Sequence, residues 1–153
     1  MANRDLISAS IDIAAPPEKV WSIVSDLKRM GEWSPQCRKM IVRGGEVGVG
    51  TTTINVNRRG LLVWPTRSKV KVFEPNRELA FRVVENGTVW SYELEPTATG
   101  TRLTESRRAP HGVKKVSNVL TNSLMGGTDD FETELQAGIE STLATIKSTA
   151  EAS

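Results

Sequence analysis

The sequence predicts an α+β fold: a seven-stranded antiparallel sheet and one long carboxyl-terminal helix, with two short helices after the first strand. Three observations predict it. Between Leu6 and Ile13, the residues Ile7, Ala9, Ile11 and Ile13 alternate with Ser8, Ser10 and Asp12, the two-residue period of a half-buried strand. From Cys37 to Arg108, turn signals recur at short intervals, which favours hairpins over crossover units. From Asp129 to Ala150, the apolar residues Phe131, Leu135, Ile139, Leu143 and Ile146 return at three- and four-residue steps, as on one face of a helix.

After the first strand, Pro16-Pro17-Glu18 marks a helix start, and Val20, Trp21, Ile23, Val24 and Leu27 form an apolar stripe, so a short helix is expected over about residues 17–25. Met30-Gly31-Glu32-Trp33-Ser34-Pro35 is too broken by Gly and Pro to extend it and reads as one irregular helical turn. Strands are expected at about residues 37–43, 51–58, 62–74, 77–85, 88–95 and 101–108. Their punctuation is Gly44-Gly45, Gly48, Gly50, Gly60, Pro75-Asn76, Asn86-Gly87 and Pro96 to Gly100. Thr128-Asp129-Asp130 supplies an N-cap and early acidic residues for the last helix. The stretch from His111 to Gly127 is half apolar and ends in two glycines, so it reads as a lid on a hinge. No repeat or linker interrupts the chain, and a single domain over residues 1–153 is expected.

At 153 residues, 38% hydrophobic and 25% charged, the chain can build a core without staples. Its net charge of +2 is too small for a general polyanion binder, so no nucleic-acid partner is expected. One Cys and one His exclude an internal disulfide and a Cys/His zinc cage, and no metal or cofactor is predicted. No signal-like stretch, membrane-spanning run or myristoylation glycine is present (Ala2 follows Met1), which predicts a cytoplasmic protein, monomer or homodimer.

Several segments carry a resemblance in their order and spacing: Ile11-Asp12-Ile13-Ala14-Ala15-Pro16-Pro17-Glu18-Lys19-Val20-Trp21, Asp26-Leu27 through Glu32-Trp33-Ser34-Pro35, and Val47-Gly48-Val49-Gly50-Thr51. Phe73-Glu74-Pro75-Asn76-Arg77-Glu78-Leu79-Ala80-Phe81, Trp90-Ser91-Tyr92-Glu93-Leu94-Glu95-Pro96 and Gly100-Thr101-Arg102-Leu103-Thr104-Glu105 continue it. Together they resemble the START-like, or SRPBCC, superfamily, which includes polyketide cyclase/dehydrase-like proteins and pollen-allergen ligand carriers. The resemblance implies the helix-grip fold, a curved sheet gripping the last helix, with a ligand cavity between them. One architecture hosts carriers, enzymes and partner-binding domains, so the resemblance leaves the chemistry open.

Strand parity names the expected lining. Leu79, Phe81 and Val83 share one face, as do Trp90, Tyr92 and Leu94, and Leu103, Glu105 and Arg107. Phe131, Leu135 and Ile139 would stand opposite, with Gly138 leaving room. Thr53, Asn55 and Asn57 would add polar groups, and Leu124 would belong to the lid. An empty apolar cavity of roughly 300 Å³ would cost about 7 kcal/mol, comparable with a domain's whole stability, so it should hold water, ligand or the folded-in lid.

Each candidate has a plainer alternative. Trp21 reads as core. Trp33 either gates the pocket mouth or anchors its turn, and Trp64 reaches either the cavity or an oligomer surface. Glu105 is the sharpest chemical candidate: desolvation would raise its pKa and make it an acid/base group, unless Arg82 or Arg107 pairs with it and keeps it ionised. His111 is a proton shuttle or a solvated loop residue. Cys37 reads as a packing residue. The basic pairs Arg58-Arg59, Arg107-Arg108 and Lys114-Lys115 are solvated surface or meet an acidic headgroup during transient membrane contact.

The leading expectation is binding or transport of a hydrophobic or amphipathic small molecule (lipid, fatty acid or polyketide-like). The alternatives are a cyclase/dehydratase using Glu105 and Tyr92 with His111, and a regulatory protein-binding module.

Overall fold

The computed structural model describes residues 6–109 and 128–152, with side chains of the second segment from Glu132 onward. The elements follow as β1 (Leu6–Ile13), α1 (Pro17–Val24), a 3-10 turn (Leu27–Arg29) running into α2 (Met30–Trp33), then β2 (Cys37–Arg43), β3 (Thr52–Arg59) and β4 (Leu62–Glu74). β5 (Glu78–Val83), β6 (Val89–Thr97), β7 (Gly100–Arg108) and α3 (Thr128–Ala152) complete them. The strands form one antiparallel sheet in the order β1-β7-β6-β5-β4-β3-β2. Every neighbouring pair is a sequential hairpin except β1 and β7, where Ile7 lies opposite Arg107 and Ile13 opposite Thr101. The β3–β4 and β4–β5 turns need left-handed backbone, supplied by Gly60 (φ 61) and Asn76 (φ 66), residue types that tolerate it.

Element boundaries differ from the sequence expectation in a few places. β5 stops at Val83 rather than 85, because Gly87 N–H bonds back to the Val83 carbonyl and begins the turn. β6 runs through Pro96 to Thr97. Pro96 lies opposite Thr101 at the hairpin end of its ladder, where a missing N–H disrupts little.

α1 starts on Pro17 and buries Val20, Trp21, Ile23 and Val24. Trp21 meets Phe73 edge to face, with ring centroids 5.2 Å apart, so the core reading of Trp21 holds. α2 lies against β2 so closely that a Cβ on Gly31 would come 2.0 Å from the Arg38 carbonyl oxygen. The stripe Leu135, Ile139, Leu143, Ile146 and Ala150 of α3 is buried in the same cluster as Ile7, Leu79 and Leu103. Polar ties hold the helix along the β1 edge: Gln136 Nε2 donates to the Ser8 carbonyl (3.1 Å), Lys147 Nζ to that of Asp12 (3.0 Å), and Ala14 N–H to the Glu151 carboxylate (2.8 Å). The helix thereby braces an edge that would otherwise offer unpaired backbone. Among the described residues, no helix is long and apolar enough to cross a membrane.

Candidate functional site

The pairing register turns the parity argument into a surface. On the face that packs towards α3, Leu79 lies opposite Tyr92, Tyr92 opposite Glu105, and Glu105 opposite Ala9, while Phe81, Trp90 and Arg107 form the adjacent row. Phe81, Val83, Tyr92, Leu94, Leu103, Glu105 and Arg107 are all buried. Trp90 is half-buried against the same cluster.

Glu105 is 3% exposed. Burial pushes its carboxyl up to about 8, against a smaller opposing effect from its hydrogen bond with Tyr92. At neutral pH the group is therefore largely protonated, a carboxylic acid in an apolar wall. Its Oε1 has no hydrogen-bond partner among the described residues. The Tyr92 hydroxyl lies between this carboxyl and the Met30 sulfur (3.6 Å). Burial and the neighbouring Glu105 hold the phenol's pKa well above its usual value, so Tyr92 acts as a hydrogen-bonding group and not as a base.

The expected ion pairing of Glu105 is corrected here. Arg107 turns to α3, where its Nη2 bonds the Glu132 carboxylate at 3.1 Å with both side chains buried. Arg82 is exposed on the other face of the sheet. Desolvation, with no guanidinium to oppose it, therefore governs Glu105. The paired basic residues divide between the two faces of the sheet, because consecutive strand residues point to opposite faces. Arg107 is buried and Arg108 exposed, while Arg59 bonds Glu134 of α3 and Arg58 bonds the Gly60 carbonyl. Neither pair is a single patch.

A polar ladder continues the inner face across β3 and β4. Thr53 Oγ1 bonds Asn55 Oδ1 (2.8 Å) and the Ser68 hydroxyl. Asn55 Nδ2 and Asn57 Nδ2 both donate to Thr66 Oγ1 (3.2 and 3.0 Å). Trp64 is half-buried opposite Asn57. The inner face is thus largely apolar towards β5–β7, apart from Glu105 and the Arg107–Glu132 pair, and uncharged but hydrogen-bonding towards β3–β4. Thr66, Ser68, Met30 and Glu132 escaped the sequence reading. The first two share the parity of Trp64 in an alternating strand, which was the available signal.

Trp33 is buried in the core, with the Arg29 guanidinium 5.0 Å from its ring centroid, which is the anchoring arrangement. Leu135 and Ile139 are buried, but the space beside Gly138 is taken by Pro35: a Cβ there would meet Pro35 Cγ at 3.4 Å. Cys37 is half-buried, its thiol pushed up to about 11 by burial. His111, Leu124, the Lys114-Lys115 pair and the Phe131 side chain lie outside the described residues. Among those described, no cluster of three or more His, Cys, Asp or Glu could hold a metal ion.

Comparison with solved structures finds the same architecture elsewhere. The polyketide-cyclase-like protein Cgl2372 of Corynebacterium glutamicum is 33% identical, with a TM-score of 0.66 over 99% of this chain and 94% of that one. TTHA0849 of Thermus thermophilus is 18% identical, with a TM-score of 0.69 over 96% of this chain and 97% of that one. The di-domain ARO/CYC protein StfQ of the steffimycin biosynthetic pathway is 14% identical, with a TM-score of 0.76 over 97% of this chain. This chain spans 51% of StfQ. At these two lower identities the likeness is one of fold. No curated protein matches the sequence. Residues 5–151 match the family described as polyketide cyclase / dehydrase and lipid transport, and the chain belongs to that family.

Proposed function

We propose that this protein binds a hydrophobic or amphipathic small molecule, of lipid, fatty-acid or polyketide-like chemistry, between the inner face of the sheet and α3. One observation carries the reading: Glu105 is a buried carboxyl with an oxygen that has no partner among the described residues, set beside Leu79, Tyr92 and Leu103. Buried polar groups are nearly always satisfied, and leaving one unpaired costs about 1–3 kcal/mol. A guest with a carbonyl or hydroxyl end would remove that cost while its apolar body covers the aliphatic rows. Trp64, Asn55 and the rest of the ladder offer hydrogen bonds to a second polar group on the guest. Membership of a cyclase and lipid-transport family supports the same class of ligand.

Native mass spectrometry of freshly purified protein, paired with thermal shift against fatty acids and aromatic polyketide analogues, tests the reading. A co-purifying mass or a ligand-dependent rise in Tm is expected, and Glu105→Leu should weaken binding about tenfold or more. The absence of both, no bound mass and no shift with any ligand, would refute it.

A cyclase- or dehydratase-type activity is favoured by a separate observation, a carboxylic acid still protonated near neutral pH beside a phenol. Glu105 would protonate a carbonyl oxygen or a departing hydroxyl while Tyr92 orients it, with His111 as the third member. Glu105→Gln would then abolish turnover and spare binding, and wild-type turnover would fall as pH rises through about 8. A carrier shows no turnover in either form.

A further inference from the structure

The outer face of the sheet carries a row of charge that the inner site does not use. Read across the strands in register, Arg43 lies opposite Thr52, Thr52 opposite Lys69, Lys69 opposite Arg82, Arg82 opposite Val89, Val89 opposite Arg108 and Arg108 opposite Leu6. Four exposed cations therefore stand in one line from β2 to β7, about 24 Å at the usual strand spacing. None of the four forms an ion pair among the described residues. Lys69 and Arg82 face each other directly, an arrangement of like charges that weakens a strand pair. The nearby Arg67 is held by Glu85 (2.8 Å), and Arg108 feels Glu78 electrostatically.

Two further features give the row a direction and an apolar component. Glu74, Glu78 and Glu93 stand opposite one another in a second row of the same face, about 13 Å along β5 from the cations. Beside the cations, Leu6, Ile41 and Val84 are 49%, 42% and 37% exposed, and Ile54 lies opposite both Ile41 and Arg67.

We propose that the outer sheet face docks on an anionic lipid surface through Arg43, Lys69, Arg82 and Arg108, with Leu6, Ile41 and Val84 entering the headgroup layer. Each cation near such a surface contributes attraction that falls off within a Debye length. Exposed aliphatics gain from the interfacial region. The row holds no aromatic side chain on which bases could stack, and the exposed aliphatics beside it suit a headgroup layer. The acidic row is repelled by the same surface and fixes the tilt of the sheet against it.

Sedimentation with vesicles tests this on the full chain. Binding is expected to vesicles of equal parts phosphatidylcholine and phosphatidylglycerol, not to phosphatidylcholine alone, and should weaken with added NaCl. Lys69→Gln with Arg82→Gln should reduce binding at least about tenfold, at roughly fivefold per cation, with Tm unchanged or raised because a repulsion is removed. Lys28→Gln, on the 3-10 turn away from this face, should change nothing. Ile41→Ser with Val84→Ser should weaken vesicle binding further at high salt. The proposal is overturned if the double Gln variant pellets like wild type, or if a short DNA duplex competes the protein off the vesicles. Small-molecule binding at the inner face is read separately by native mass spectrometry, so either idea can fail alone.

Discussion

Burial raises the pKa of Glu105 from about 4.5 to about 8, so the folded protein keeps a proton that the unfolded chain releases at lower pH. The folded state then binds more protons than the unfolded one across that window. Stability contributed by this group is fully present below about 4.5 and is lost as pH rises to about 8, at roughly 1.4 kcal/mol per pH unit. Glu105→Gln preserves shape and removes the titration. Urea unfolding at pH 5.5, 7 and 8.5 should show the variant gaining on wild type at each step, and parallel curves would contradict the buried acid. Cys37 is a gentler case. With its thiol at about 11, little thiolate forms at neutral pH, so its reaction with a thiol reagent should be at least about tenfold slower in the native protein than in urea, and equal rates would show that the thiol is not shielded.

Among the elements, the seam between α2 and β2 depends on one missing side chain. Gly31→Ala puts a methyl into the Arg38 carbonyl and should cost about 1–3 kcal/mol or more by overpacking. Gly45→Ala, with open space around it, should be within about 0.5 kcal/mol of wild type by thermal unfolding. The tie between β7 and α3 is different. Arg107→Met leaves Glu132 buried without this partner and should cost about 3–5 kcal/mol, whereas adding Glu132→Leu should recover much of the loss. Strands and helices were legible because Ile7 to Ile13 and Leu135 to Ile146 repeat with the periods of their backbones. The buried role of Glu132 was not legible, because an acidic residue in the first turn of a helix reads equally well as a partner for the helix dipole.

For the molecule as a whole, the inner face contributed by β5, β6 and β7 followed from parity alone, since a strand residue's face is fixed by whether its number is odd or even within the run. The polar ladder required more. Thr53 and Ser68 meet only because the Gly60 turn sets the β3–β4 register, and no single strand contains that information. The same dependence on distant partners governs folding: β1 joins the sheet only when β7 arrives, and α3 must then close on both. One cluster of buried side chains includes Trp21 of α1, Trp33 of α2, Leu79 of β5 and Leu143 of α3. Loosening any member should therefore loosen all. Leu143→Ala, at a site 1% exposed, should cost about 2–5 kcal/mol. Because the tryptophans sit on elements far from Leu143 in sequence, tryptophan fluorescence and far-ultraviolet circular dichroism should shift to the same lower denaturant midpoint. If the fluorescence transition stayed in place while the dichroism moved, α3 would be unfolding by itself, and the helix would be a cover resting on the sheet instead of a wall of its core.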